Sequence, residues 1–164
     1  MSLSRNHIAW SAVLLLFVFL ITACDDKRVY EEWLDVPSMQ WSADSTQHFV
    51  FSIEDTTSLY NMNFGVRHMN TYPYQNLWLI AHFTGPDDFN YQDTIQLVLA
   101  NKTGSWYGKR SAGLYTYVAP VYRHLPFLKA GEYRFELTHG MREEELAGLA
   151  AIGFRVEKAD LKSE

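Results

Sequence analysis

Among the side chains of this 164-residue sequence, the one whose type and setting point most directly to chemistry is Cys24. It closes the stretch Leu20-Ile21-Thr22-Ala23-Cys24, behind Arg5 and an almost unbroken apolar run from Ile8 to Ile21. A short basic start, an apolar run and a small residue at the cut make a secretory signal peptide. The run is about 14 residues, short of the ~20 that a bilayer-spanning helix needs. Ala23 directly before a cysteine suits a lipoprotein signal peptidase, whose pocket accepts only a small side chain there. A thiol is the side chain that forms the thioether to diacylglycerol, and cleavage frees the amine for a further chain. At roughly 0.8 kcal/mol per buried methylene, two or more chains hold a protein stably on a membrane where one does not. The expectation is a lipoprotein signal peptide over residues 1-23 and lipidation at Cys24. A plain secretory signal with a cysteine near the cut is the competing reading.

Other residue types offer less. Asp87-Asp88, Glu54-Asp55 and Glu143 to Glu145 raise the question of a glycosidase or a calcium site. A glycosidase needs two carboxylates held about 5 to 9.5 Å apart across a cleft, and calcium needs six or more converging oxygens. Neither arrangement is readable here. His48, His68, His82, His124 and His139 fall on separate segments, with no His-x-His or His-Glu-x-x-His spacing for zinc. No Gly-x-Ser-x-Gly elbow or glycine-rich phosphate loop is present. The expectation is therefore no enzyme, no cofactor and no metal. Lys and Arg number 14 against 19 Asp and Glu, for a net charge of −5, which lacks the basic footprint of a nucleic-acid partner.

Recognition is the remaining class. Tyr72-Pro73-Tyr74, flanked by Asn70 and Asn76, could present two rigid aromatics around a proline-fixed turn, or fold its tyrosines back onto the domain. Trp106, Tyr107, Tyr115, Tyr117 and Tyr122 could line a sugar-stacking surface, or serve as ordinary packing. Arg142, with Glu143 to Glu145, could meet a charged partner, or sit on a solvated helix where Arg142 and Glu145 pair. The candidate interaction surface is Asn70, Tyr72, Tyr74, Asn76, Trp106 and Arg142.

The elements that must position these residues are mostly strands. Phe49, Phe51 and Ile53 alternate with polar neighbours, as do Tyr60, Met62, Phe64 and Val66. Leu77, Leu79, Ala81 and Phe83 follow, with Trp78 and Ile80 making the opposite face apolar too, as in a strand buried on both faces or meeting a partner. Ile95, Leu97 and Leu99, then Tyr133, Phe135 and Leu137, then Ile152, Phe154 and Val156 continue the period of two. A short strand is expected near Trp106 and another around Leu114 to Tyr122. Met141 to Leu146 has helix-forming composition over about two turns. The predicted fold is all-β, an antiparallel β-sandwich of jelly-roll type with one short helix near the C-terminus. Residues 24-46 read as a lipidated tether and extended arm, 47-158 as the sandwich and 159-164 as a polar tail. The single cysteine leaves no disulfide, so apolar burial alone must hold the domain.

Several pieces then come in a telling order. They are the lipobox at Cys24, Val29-Tyr30, Trp41, and Phe49-Val50-Phe51 leading to Asp55-Thr56-Thr57. Asn70-Thr71-Tyr72-Pro73-Tyr74-Gln75-Asn76-Leu77, Asp93-Thr94 and Gly104-Ser105-Trp106-Tyr107-Gly108 follow. Gly131-Glu132-Tyr133-Arg134-Phe135, Met141-Arg142 through Leu146 and Gly148, and Gly153-Phe154-Arg155-Val156-Glu157 complete the set. This pattern resembles the gliding-motility lipoprotein H (GldH) family of Bacteroidota. The resemblance implies a lipid-anchored cell-envelope protein, expected in the outer membrane, linked to gliding motility and type IX secretion. It implies binding to the membrane through Cys24 and to other envelope proteins, and it brings no catalytic residues with it. The alternative is a carbohydrate-binding module of a polysaccharide-capture system, which would need Trp106, Tyr115 and Tyr117 as an exposed, coplanar platform.

Overall fold

The computed structural model describes residues 27 to 160, so the cleavage and lipidation expected at Cys24 lie outside the described residues, as does the end of the tail. Two large antiparallel sheets carry the domain. One holds five strands in the order β1 (Arg28–Asp35), β11 (Leu149–Lys158), β4 (Leu59–Met69), β8 (Leu114–Pro126) and β7 (Lys109–Ser111). The other holds four, β3 (Gln47–Ile53), β9 (Gly131–His139), β5 (Asn76–Thr84) and β6 (Asn90–Val98). A small two-stranded sheet pairs β2 (Gln40–Ser42) with β10 (Glu145–Ala147). Apart from the consecutive pairs β5–β6 and β7–β8, neighbours in a sheet are far apart in sequence, because the chain crosses repeatedly from one large sheet to the other.

The period-two runs explain the core. Phe49, Phe51 and Ile53 of β3, Leu77, Leu79, Ala81 and Phe83 of β5, and Tyr133, Phe135 and Leu137 of β9 are all buried. Tyr60, Met62, Phe64 and Val66 of β4, with Ile152, Phe154 and Val156 of β11, meet them from the other sheet. At the centre, Phe154 stacks on Phe135 at 4.5 Å between centroids and 26° between planes. Phe49 and Phe64 flank Phe154 at 5.5 and 5.4 Å, and Phe83 closes on Phe135 at 4.1 Å. Each such ring contributes on the order of 1.5–3 kcal/mol by burial.

One expectation is corrected. Met141 to Leu146 is not a helix, and no α-helix occurs among the described residues. Residues 141–144 bend, and Glu145, Leu146 and Ala147 pair with Ser42, Trp41 and Gln40. The backbone N–H of Ala43 also donates to the carbonyl of Glu144 at 2.8 Å, and Leu146 is buried. Two turns of helix fall below the length at which propensity sustains a helix, so pairing with a distant segment wins. The extended arm read over Val29 to Thr46 takes the form of β1, a single 3-10 turn at Pro37–Met39, and β2. Near Trp106 there is an isolated bridge from Ala100 to Trp106, with β7 following.

A flat ring crosses the outer face of the five-stranded sheet. Trp33 pairs with Gly153, which pairs with Gly65. A Cβ on Gly65 or Gly153 would approach the Trp33 ring to 2.4 or 2.6 Å, so these two glycines make the bed in which the indole lies. The Arg67 guanidinium covers the ring at 4.1 Å, and the indole N–H reaches Glu31 at 3.3 Å.

The sandwich has two distinct ends. At one end the chain enters: the N–H of Lys158 donates to the Lys27 carbonyl at 2.8 Å, and that of Ala159 to the Leu59 carbonyl at 2.7 Å. Asp55 locks the β3–β4 turn there, accepting from Thr57 Oγ1 and Ser58 Oγ at 2.6 Å each and from Lys158 Nζ at 2.6 Å. The Lys158 ammonium, then the Ser58 and Thr57 donors, hold the Asp55 carboxyl well below the usual carboxylate range. At the opposite end β1 stops, β4 stops and β5 begins.

Two outcomes are expected. Gly153→Ala displaces Trp33 and destabilises by about 1–3 kcal/mol, as overpacking does, with a red shift of indole emission. On a Trp33→Ala background the same substitution costs far less in urea denaturation, because the clash has no partner. Stability from Asp55 is complete above about pH 4, its ordinary titration range, and is lost as the pH falls through its lower folded value. The melting temperature of Asp55→Asn is therefore expected below that of the parent at pH 7, the gap narrowing below about pH 4.

Candidate interaction surface

The six residues singled out in the sequence divide into a surface group and a packed group, both at the end opposite the chain entry. Tyr72 is in the packed group, since it is buried and its hydroxyl donates to the Asn76 carbonyl at 2.9 Å. Burial raises its phenol above the ordinary value. Gly148, at φ 88°, passes so close that a Cβ would stand 3.1 Å from the Tyr72 backbone. Tyr72 is the inner anchor of the 70–75 loop. Tyr74 turns the other way: its ring meets Tyr72 edge-on at 5.9 Å, and its hydroxyl donates to the Glu143 carboxylate. That bond holds the Glu143 carboxyl below its usual range.

Tyr74, Asn76 and Arg142 come together on an open groove of about 550 Å3, with Trp78, Ile80, Met141 and Glu143. Trp78 and Ile80 stand on the outer face of β5, 37% and 38% exposed, and their strand carries Leu77, Leu79 and Ala81 inward. The backbone N–H of Trp78 points at the Met141 sulfur at 3.3 Å, which seats the 141–144 bend against the sheet. The result is an apolar floor with a cation and a carboxylate at one rim.

Asn70 and Trp106 lie beside the groove, not in it. The indole N–H of Trp106 donates to Asn70 Oδ1 at 3.0 Å, and the ring packs edge-on against His68 at 4.5 Å. Tyr115 also stacks on His68, at 5.6 Å and 14°. Trp106 and Tyr115 are tilted by 49°, and Tyr107 and Tyr117 by 34°, so these rings do not form a coplanar platform. Among the described residues no three His, Cys, Asp or Glu side chains converge as a metal would require.

The GldH lipoprotein family model matches residues 28–156, from the first residue of β1 to near the end of β11. The chain belongs to the GldH lipoprotein family. It is 32% identical over 157 residues to the gliding motility lipoprotein GldH of Flavobacterium johnsoniae, covering 92% of this chain and 97% of that one. It is 29% identical over 160 residues to a GldH homolog of Christiangramia forsetii, covering 93% and 98%. Among solved structures, the infectious bursal disease virus VP2 subviral particle is similar at a TM-score of 0.38 and 17% identity. That alignment covers 81% of this chain and 33% of the viral one, a likeness too loose to argue from.

In this member of the GldH family, sequence reasoning missed Met141 as a groove residue because a helix was expected there. It also missed His68, the hub of the aromatic cluster. The signal available for His68 was its place at the end of a strand whose inward residues are all large. His68 is fully buried, its Nδ1–H donates to the Met69 carbonyl at 3.0 Å, and its Nε2 has no partner. Burial lowers the imidazole below its ordinary value, against the opposing bond to Met69.

His68 is thus held neutral, while the unfolded chain takes up a proton near pH 6.5. Its stability contribution is complete above that pH and is lost as the pH falls below it. A His68→Phe variant keeps the ring packing, and the stability gap between parent and variant is expected to shift in the variant's favour below about pH 6.5. An NMR titration of the His68 ring checks the cause: a midpoint at or above the ordinary value contradicts it.

Proposed function

We propose that this GldH-family protein is a lipid-anchored, non-enzymatic envelope component, residing in the outer membrane, that binds other envelope proteins of the motility or secretion machinery. The observation that carries the reading is the groove of Tyr74, Trp78, Ile80, Met141 and Arg142, set at the end of the sandwich away from the chain entry. Tyr, Trp and Arg are the residue types that dominate binding energy at protein interfaces. An apolar floor with one polar rim matches the usual anatomy of such a contact. The names of the relatives add lipoprotein character and gliding motility. A tether through Cys24 puts the opposite end towards the membrane and leaves this groove facing its surroundings. The carbohydrate-binding alternative draws less support, because the Trp106, Tyr115 and Tyr117 rings are tilted and partly buried.

The test is a photo-crosslinking amino acid in place of Trp78, in cells carrying the full lipid-anchored chain. A discrete protein adduct is expected, reduced about tenfold or more when Arg142→Glu and Tyr74→Ala are added, with the far-ultraviolet dichroism unchanged. Equal yield with and without those substitutions contradicts the groove as the contact. Binding of the same protein to a glycan array, without any protein adduct, turns the reading towards sugar.

A further inference from the structure

The chain-entry end carries an apolar opening that the function above does not use. A groove of about 560 Å3 runs between the β5–β6 turn and the β8–β9 loop, with Phe89, Tyr91, Tyr122, Phe127 and Leu128 among its walls. Leu128 is 82% exposed, Tyr91 48% and Phe89 47%, so large apolar side chains stand in water around one mouth. The rim charges are paired, Lys129 with Asp87 at 3.0 Å, and add no net charge there. Soluble surfaces seldom leave such a patch without a partner.

Its position says which partner. The Lys27 carbonyl accepts from the Lys158 N–H, Lys158 lies opposite Tyr60, and Tyr60 lies opposite Leu125, which lines the groove. Three strand spacings of ~4.8 Å put the chain entry about 14 Å from that wall. Cys24 precedes Lys27 by three residues, at most ~11 Å of extended chain. The anchor and the apolar mouth are therefore on the same end of the sandwich, and a tether this short keeps that end against the bilayer.

We infer that Leu128, Phe89 and Tyr91 dip into the lipid surface that holds the anchor, so that the bilayer covers the groove. The contact rests on the lipid anchor at Cys24. Leucine and phenylalanine favour the acyl boundary, and tyrosine suits the headgroup level with its hydroxyl in water. The contact orients the domain, because a flexible anchor alone fixes position but not direction.

The chain's only cysteine is consumed by lipidation, so Leu128→Cys in the lipidated full-length protein supplies a single free thiol. An environment-sensitive fluorophore is attached there, and in a second protein at Thr103→Cys, near the opposite end. Both are reconstituted in phosphatidylethanolamine and phosphatidylglycerol vesicles with and without doxyl-labelled lipid. The expected result is blue-shifted emission at position 128 that doxyl lipid largely quenches, with aqueous, unquenched emission at 103. Aqueous emission at both positions overturns the contact while leaving the anchor intact. Blue-shifted emission at 128 that doxyl lipid does not quench also overturns it, and assigns the groove to a second copy or to the protein's own acyl chain. If the unsubstituted protein itself takes the label, Cys24 is free, and the anchor and the contact fail together.

Discussion

The fold depends on one aromatic contact between its sheets. Phe135 and Phe154 lie face to face across the interface, and Phe49, Phe64 and Phe83 surround them. With a single cysteine in the chain, no covalent link between the sheets is available, so this cluster must supply the cohesion that exported domains often take from disulfides. Aromatic rings do so with large buried areas and few rotatable bonds, and the five rings here meet in stacked and tilted pairs. Once the sheets are held at this separation, each end of the sandwich is free to differ.

The two ends do differ, and in a complementary way. At the chain-entry end, Asp55 ties a turn to the last strand by charged hydrogen bonds, and an apolar mouth opens beside it. At the other end, Tyr72 fastens the 70–75 loop inward so that Tyr74 can face outward beside Met141 and Arg142. The loop needs both tyrosines: one is held by burial and a backbone carbonyl, the other by a carboxylate at the surface. Gly148 makes this possible, since a side chain there would press on the Tyr72 backbone and sits at a backbone angle that favours glycine.

Much of the sandwich was legible because a half-buried strand must alternate, and Phe49 to Ile53, Tyr60 to Val66 and Tyr133 to Leu137 do so cleanly. The arm was less legible because β1 is an edge strand with a bulge, and its charged Glu31 and Glu32 interrupt the apolar residues. Met141 to Leu146 was misread because its local preference is helical, and the segment that overrules it, Gln40 to Ser42, lies about a hundred residues away. Composition could not separate Tyr72 from Tyr74 either, as their roles are decided by which one finds the Asn76 carbonyl. Leu128 carried no signal of exposure, since it follows Leu125, Pro126 and Phe127 in an apolar segment without periodicity.

The edge position of β1 also governs when the domain can close. Its ladder partner in the sheet is β11, with Arg28 opposite Glu157, so the first strand of the domain waits for the last. Loop closure over nearly the whole domain is slow and unrewarded until that final strand arrives. During this interval β1 is without its one ladder partner. Strand order thus acts as a clock, and the pairing that joins the two ends of the domain is the last that can form.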